Sequence, residues 1–170
     1  MDALECIYRR RSVRKYAEGK VKDEDLKKIL EAAIMAPSAG NLQPWKFYIV
    51  RNINVKRELT RAAYNQEFIY QADVCIVVVA IPEISAKVYG ERGEKLYCIQ
   101  DTAAAVQNIL LASKALGYGT CWVGAFNESM AREILHLPPN ERPVAMIPIG
   151  IPAEDPPPRK RKRDVFVFIN

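Results

Sequence analysis

Leu96-Tyr97-Cys98-Ile99-Gln100-Asp101-Thr102-Ala103-Ala104-Ala105-Val106-Gln107-Asn108-Ile109-Leu110-Leu111-Ala112-Ser113-Lys114-Ala115-Leu116 is the stretch that decides the fold. Between Thr102 and Ala112 it is apolar around most of its circumference, which predicts a helix buried in a core or a subunit interface. Leu116-Gly117-Tyr118-Gly119 ends it. Beyond that, Cys121-Trp122-Val123 reads as extended, residues 128–135 as a short helix and Val144 to Ile151 as a last strand, in which Pro148 predicts an edge position or a bulge. On the N-terminal side, Val74 to Ile81 is an unbroken, valine-rich run that suits a strand covered on both faces. Residues 54–64 are helical through Val55, Leu59, Ala62 and Ala63, and Trp45 to Val50 favours a strand. Residues 23–35 form a helix whose Leu26, Ile29, Leu30, Ala33 and Ile34 follow the acidic turn Asp23-Glu24-Asp25, and which stops at Pro37. Residues 2–9 read as a short helix. Helices and strands alternate without an internal repeat.

Past residue 152 the character changes. Pro156-Pro157-Pro158 can neither join a helix nor donate to a sheet, so it reads as an extended spacer. It delivers Arg159-Lys160-Arg161-Lys162-Arg163 and then Val165-Phe166-Val167-Phe168 away from the last strand. The chain therefore divides into a domain, 1–152, and an arm, 153–170. Such an arm either closes on its own domain or reaches across a dimer.

Composition bounds the function. An apolar content of 49% in 170 residues suits one globular domain, and no run approaches the ~20 apolar residues of a membrane span. Met1 to Glu5 lacks the charged head and apolar stretch of a signal peptide, so the expectation is a cytoplasmic protein. Cys6, Cys75, Cys98 and Cys121 are scattered and His136 is the single histidine, which supports neither a zinc cage nor a disulfide framework. No metal is expected, and the cysteines read as buried, reduced thiols. The net charge of +5 equals that of the run 159–163, and the remaining charges balance. Without aromatic residues interleaved among the basic ones, nucleic acid is not an expected partner.

Four segments carry chemistry. Arg9-Arg10-Arg11-Ser12-Val13-Arg14-Lys15-Tyr16 places forked donors and a hydroxyl where a terminal phosphate would need them, although a charge run is commonly a solvated face. Ala36-Pro37-Ser38-Ala39-Gly40-Asn41-Leu42-Gln43-Pro44-Trp45 is a loop of small residues able to approach a flat heterocycle, or an ordinary helix-to-strand turn. Gly117 to Gly124 contains a G-x-G without the spacing of a dinucleotide fold. The basic tail is the fourth.

The order of these segments, with Gln100-Asp101-x-Ala-Ala-Ala-x-Gln107-Asn108 between them, resembles the FMN-dependent nitroreductase family over almost the whole chain. The resemblance implies an α+β fold with a mixed, largely antiparallel sheet wrapped by helices. It also implies a homodimer with FMN at the subunit interface and the C-terminal arm exchanged. By that likeness Arg10, Arg11, Ser12 and Arg14 are phosphate and pyrimidine-edge contacts, and Pro37, Ser38, Ala39 and Asn41 pack on the ring from the other subunit. The Val123-Gly124 backbone donates to flavin N5. Arg159 and Arg161 return to the phosphate in a register ambiguous by one, and Asn65 or Gln66 faces the pyrimidine ring. Longer members carry extra helices over the substrate side, for which Pro82 to Lys95 leaves no room.

The implied activity is electron transfer from NADH or NADPH through FMN to a nitroaromatic, quinone or similar small-molecule acceptor. Cationic groups such as Arg14 would favour the reduced, negatively charged ring. No Cys-His or Ser-His arrangement exists, so no side chain is assigned as catalytic. The alternatives are a flavin carrier or sensor without turnover, and a specialised reaction such as reductive dehalogenation.

Overall fold

A computed structural model describes residues 2–169. Among them the helices are α1 (Ala3–Arg9), α2 (Asp23–Ile34), α3 (Ile53–Ala62), α4 (Phe68–Gln71), α5 (Pro82–Arg92), α6 (Cys98–Ala115) and α7 (Glu128–Leu135). The strands are β1 (Tyr16–Ala17), β2 (Trp45–Val50), β3 (Val74–Ala80), β4 (Gly119–Thr120) and β5 (Arg142–Pro152). They form one sheet in the order β1-β5-β3-β2, with β4 also on β5, and every strand pair is antiparallel. The α+β class read from the sequence is the class observed.

β3 is the centre of the molecule because all seven of its residues are buried. Val74, Ile76 and Val78 face α2 and α6, while Cys75, Val77 and Val79 face α3, α4 and α7. A strand enclosed this way needs apolar side chains on both faces, and the valine run supplies them. Each fully buried Val or Ile contributes about 1.5–3 kcal/mol. α2 and α6 run antiparallel, joined by Asn108 Nδ2 to Ala32 O at 2.9 Å and Tyr118 Oη to Asp25 Oδ2 at 2.9 Å. Asn52 caps α3 and Asn127 caps α7, each accepting backbone N–H groups of the first turn. His136 closes α7 in the left-handed region and is exposed, and the four cysteines are free and buried. No described helix is long and apolar enough to cross a membrane.

Two expectations are corrected. β5 is an interior strand: β3 flanks one side, and β1, β4 and Val123 flank the other. Pro148 is tolerated because pairing on that second side passes from Thr120–Ile149 to Val123–Met146, leaving its missing N–H in the gap. The β5 irregularity lies instead between the Val78–Ala145 and Val79–Pro143 pairs. Second, the segment Pro82 to Lys95, expected to leave no room for extra helices, is itself mostly helical, as α5, started by Pro82. Gly90, at φ 58° and ψ −144°, reverses the chain, and Gly93 then lies so close to Ser85 O that a Cβ would sit 2.3 Å from it. α6 takes the first of the two placements expected for it, in the chain's own core against α2 and the sheet. The exposed apolar face is on α1, where Leu4, Ile7 and Tyr8 are 62%, 48% and 70% exposed, and on the arm.

Candidate functional site

The N-terminal basic segment leaves α1 and is pinned to the sheet within a few residues. Ser12 bridges Thr120, the Val13 N–H donates to Thr120 O at 2.9 Å, and Tyr16 Oη reaches Val13 O and Pro148 O. The arm begins on the same segment. Ala153 N–H donates to Lys15 O at 2.9 Å, and Arg14 N–H donates to Glu154 Oε1 at 2.6 Å. These contacts return the arm to its own N-terminus before the prolines.

The result is a cavity of about 240 Å³ lined by Arg10, Arg11, Ser12, Arg14, Pro156, Pro157, Arg159 and Arg161. Residues some 150 positions apart in sequence thus share one cradle, with Arg159 and Arg161 rather than Lys160 and Lys162 facing it. Among the described residues no carboxylate lines it. Burial, then Arg161 and then Arg11, push the Arg10 guanidinium below its ordinary pKa. A half-buried arginine crowded by like charges is electrostatically incomplete without an anion. The Arg11 fork is partly spent on Tyr8 O and Arg10 O, which fixes its position, and Arg14 lies over the Phe68 ring at 5.8 Å. A second cavity of about 640 Å³ shares Arg10 and Arg11 and extends to Lys114, at the C-terminal end of α6.

Val123 and Gly124 continue from this region. The Val123 N–H and C=O are both committed to Met146, at 2.9 and 3.0 Å, so of the Val123-Gly124 pair the available donor is the Gly124 N–H. Gly124 is exposed, and a Cβ there would meet only Trp122 Nε1, at 3.9 Å. Gln66 donates to Ala63 O and to Ala125 O, which sets it beside Gly124. Asn65, at φ 61°, turns instead into a shallow depression with Arg57, Arg61 and Tyr70. Of the two, Gln66 is nearer the turn. Burial raises the Cys121 thiol despite Arg14 and Arg10, which makes it a poor nucleophile.

Pro37, Ser38, Ala39 and Asn41 lie elsewhere. Their loop sits against the N-terminal end of α6, where the Ala39 N–H donates to Asp101 Oδ1 at 3.1 Å. From Asp101 to Lys114 the helix rises about 20 Å. One chain therefore holds the loop and the arginine cradle at opposite ends of α6. Glu154, Phe68 and Thr120 were not singled out in the sequence, since nothing local marks them; Asp101 stood inside the quoted motif without a role.

A family model described as "Nitroreductase family" matches residues 7–66 and 55–151. A protein of Archaeoglobus fulgidus whose name joins NADH dehydrogenase with NAD(P)H nitroreductase is 38% identical over 158 residues, covering 91% of this chain and 87% of its own. The crystal structure of a nitroreductase family protein from Clostridium novyi NT superposes with a TM-score of 0.84 at 36% identity, over 91% of this chain and 87% of that one. An FMN-dependent nitroreductase from Clostridium difficile R20291 gives a TM-score of 0.85 at 27% identity, over 98% and 99%. With matching sequence over most of its length and the matching fold, this chain belongs to the nitroreductase family.

Proposed function

We propose that the protein is an FMN-dependent oxidoreductase that passes electrons from NADH or NADPH to a nitroaromatic, quinone or similar oxidised organic acceptor. The observation that carries this is the cavity of Arg10, Arg11, Ser12, Arg14, Arg159 and Arg161 with no carboxylate in its lining. Crowded guanidinium groups and a hydroxyl fit a terminal phosphate dianion, the one part of FMN that demands such charge. The names of relatives that act on NAD(P)H or depend on FMN support the same cofactors.

Bound FMN supplies the two-electron relay between the nicotinamide donor and the acceptor. The chain's own residues bind and orient. The five arginines hold the phosphate end, and their positive field favours negative charge on the reduced ring. The Gly124 N–H is left free by the Val123–Met146 pair and presents a donor at an open backbone position where a flat ring can approach. No side chain needs to act as nucleophile or base.

The assembly read here is a homodimer. In one chain the Pro37–Asn41 loop is an α6 length away from the cradle, and a second copy would bring its loop to it. The exposed face of α1 and the exposed Val165, Phe166, Val167 and Phe168 provide apolar surface for such a contact.

The test is direct. Purified protein is titrated with FMN and then mixed anaerobically with NADH or NADPH. Yellow protein that bleaches with the donor and recovers colour with menadione or a nitroaromatic is the expected result. Protein that binds no FMN removes the reading, and protein that holds FMN without turnover is a carrier.

A further inference from the structure

The Ser38–Asn41 loop has a shape that needs holding. Gly40, Asn41 and Gln43 all have positive φ, at 59°, 56° and 50°, and two of the three are not glycine. Such backbone persists only when its surroundings over-determine it. Most of the loop's polar contacts are internal to it: Asn41 N–H to Ser38 O at 2.9 Å, Gln43 N–H to Ser38 Oγ at 3.0 Å and Gln43 Nε2 to Asn41 O at 3.3 Å. Apart from Trp45 N–H to Gln43 O at 2.8 Å, which ties the loop to the strand that follows it, the hydrogen bond that joins residues 37–43 to another element among the described residues is from the Ala39 N–H to Asp101 Oδ1.

Asp101 is placed expensively for so small a task. It is 7% exposed in the first turn of α6, and its Oδ2 is buried without a partner. No cation pairs with it among the described residues. Burial raises its pKa above the ordinary carboxylate value. A buried carboxyl with one oxygen unsatisfied subtracts from stability, and an apolar residue would pack there at lower cost. Its hydrogen bond fixes the Ala39 N–H, and with it the start of the loop.

We propose that Asp101 is a positioning residue that holds the Ser38–Asn41 loop in the conformation in which it meets the flavin. This rests on the FMN reading above and deepens it by naming what shapes the ring-facing loop. It acts through the backbone of Ala39 and touches no substrate.

The test is FMN titration of the full chain for wild type, Asp101→Asn, Asp101→Ala and Ala39→Pro. Asp101→Asn keeps an oxygen where Oδ1 stands and is expected to bind FMN within about twofold of wild type. Asp101→Ala deletes the acceptor and is expected to weaken FMN about tenfold, the value of one hydrogen bond. Ala39→Pro removes the donor and sets its ring Cδ against Asp101 Oδ1, so it breaks the contact from the loop's side. Ser38 is already extended, at φ −140° and ψ 152°, and position 39 opens a helical turn, so the backbone accepts proline there. It should weaken FMN by a similar factor, which keeps the question answerable if Asp101→Ala does not fold. A merely structural role would lower the melting temperature of Asp101→Ala and leave FMN affinity intact. That outcome overturns the inference, as does Asp101→Asn binding as weakly as Asp101→Ala. Wild type that binds no FMN would instead remove the underlying reading.

Discussion

The backbone N–H of Arg14 donates to Glu154 Oε1 at 2.6 Å, which joins the N-terminal basic segment to the first residues of the C-terminal arm. Residues 151–154 run along residues 14–17 of the same chain, and beyond them Arg159 and Arg161 line the cradle. The arm thus has two parts, a strap that lines the cradle and an exposed end.

The arginines of the cradle should control cofactor retention. Replacing Arg10 or Arg14 with alanine is expected to weaken FMN binding by about 1.5–3 kcal/mol, the range for a charged hydrogen bond. Fluorescence titration after gel filtration measures this. Retention at wild-type affinity by either variant would show that the phosphate sits elsewhere.

Ending the chain after Pro158 should lose dimer and FMN together. The deletion removes Arg159 and Arg161 from the cradle and the five apolar residues Val165 to Ile169, which are 60–93% exposed in the lone chain. Analytical ultracentrifugation with flavin absorbance reads both properties at once. A yellow monomer, or a dimer untouched by the cut, would show that the exposed end has no part in assembly.

On the proposed reading, a single flavin site serves donor and acceptor in turn. Initial rates with NADH or NADPH against menadione are expected to give parallel double-reciprocal lines. Intersecting lines would mean that both substrates bind at once, and the single-site picture would fail.

Acid should release one surface pair before the fold is lost. Glu128 accepts from Arg142 Nε and Nη2 at 3.0 and 2.9 Å, and these hydrogen bonds hold its carboxyl below the ordinary value. Its stabilisation is therefore fully present above the unfolded-state pKa and is lost as pH falls through the folded one. Glu128→Gln should cost at most about 1 kcal/mol near neutrality, because the pair is half exposed. Urea melts at pH 7 and pH 3 check this. A cost that persists unchanged at the lower pH would show that the carboxylate's charge is not involved.

Much of the fold was legible in the sequence by itself because it is written in local periodicity. The seven buried residues of β3 could be read from an unbroken apolar run, and α7 matched its reading at both ends because Asn127 is a good cap and an amphipathic turn follows. The basic segment, the small-residue loop and the Val123-Gly124 turn were visible as residue types in order, which was enough for the family. The tertiary structure alone decided how they meet. Arg159 and Arg161 reach Arg10 through the pairing of β1 with β5, a contact across the whole chain that no local pattern encodes. Pro148 could be judged only against the strand beside it, since a missing N–H matters on the side where a partner waits. Burial, too, is a property of neighbours: α2 and the sheet cover Val106 and Ile109, while Leu4 and Tyr8 stay 62% and 70% exposed.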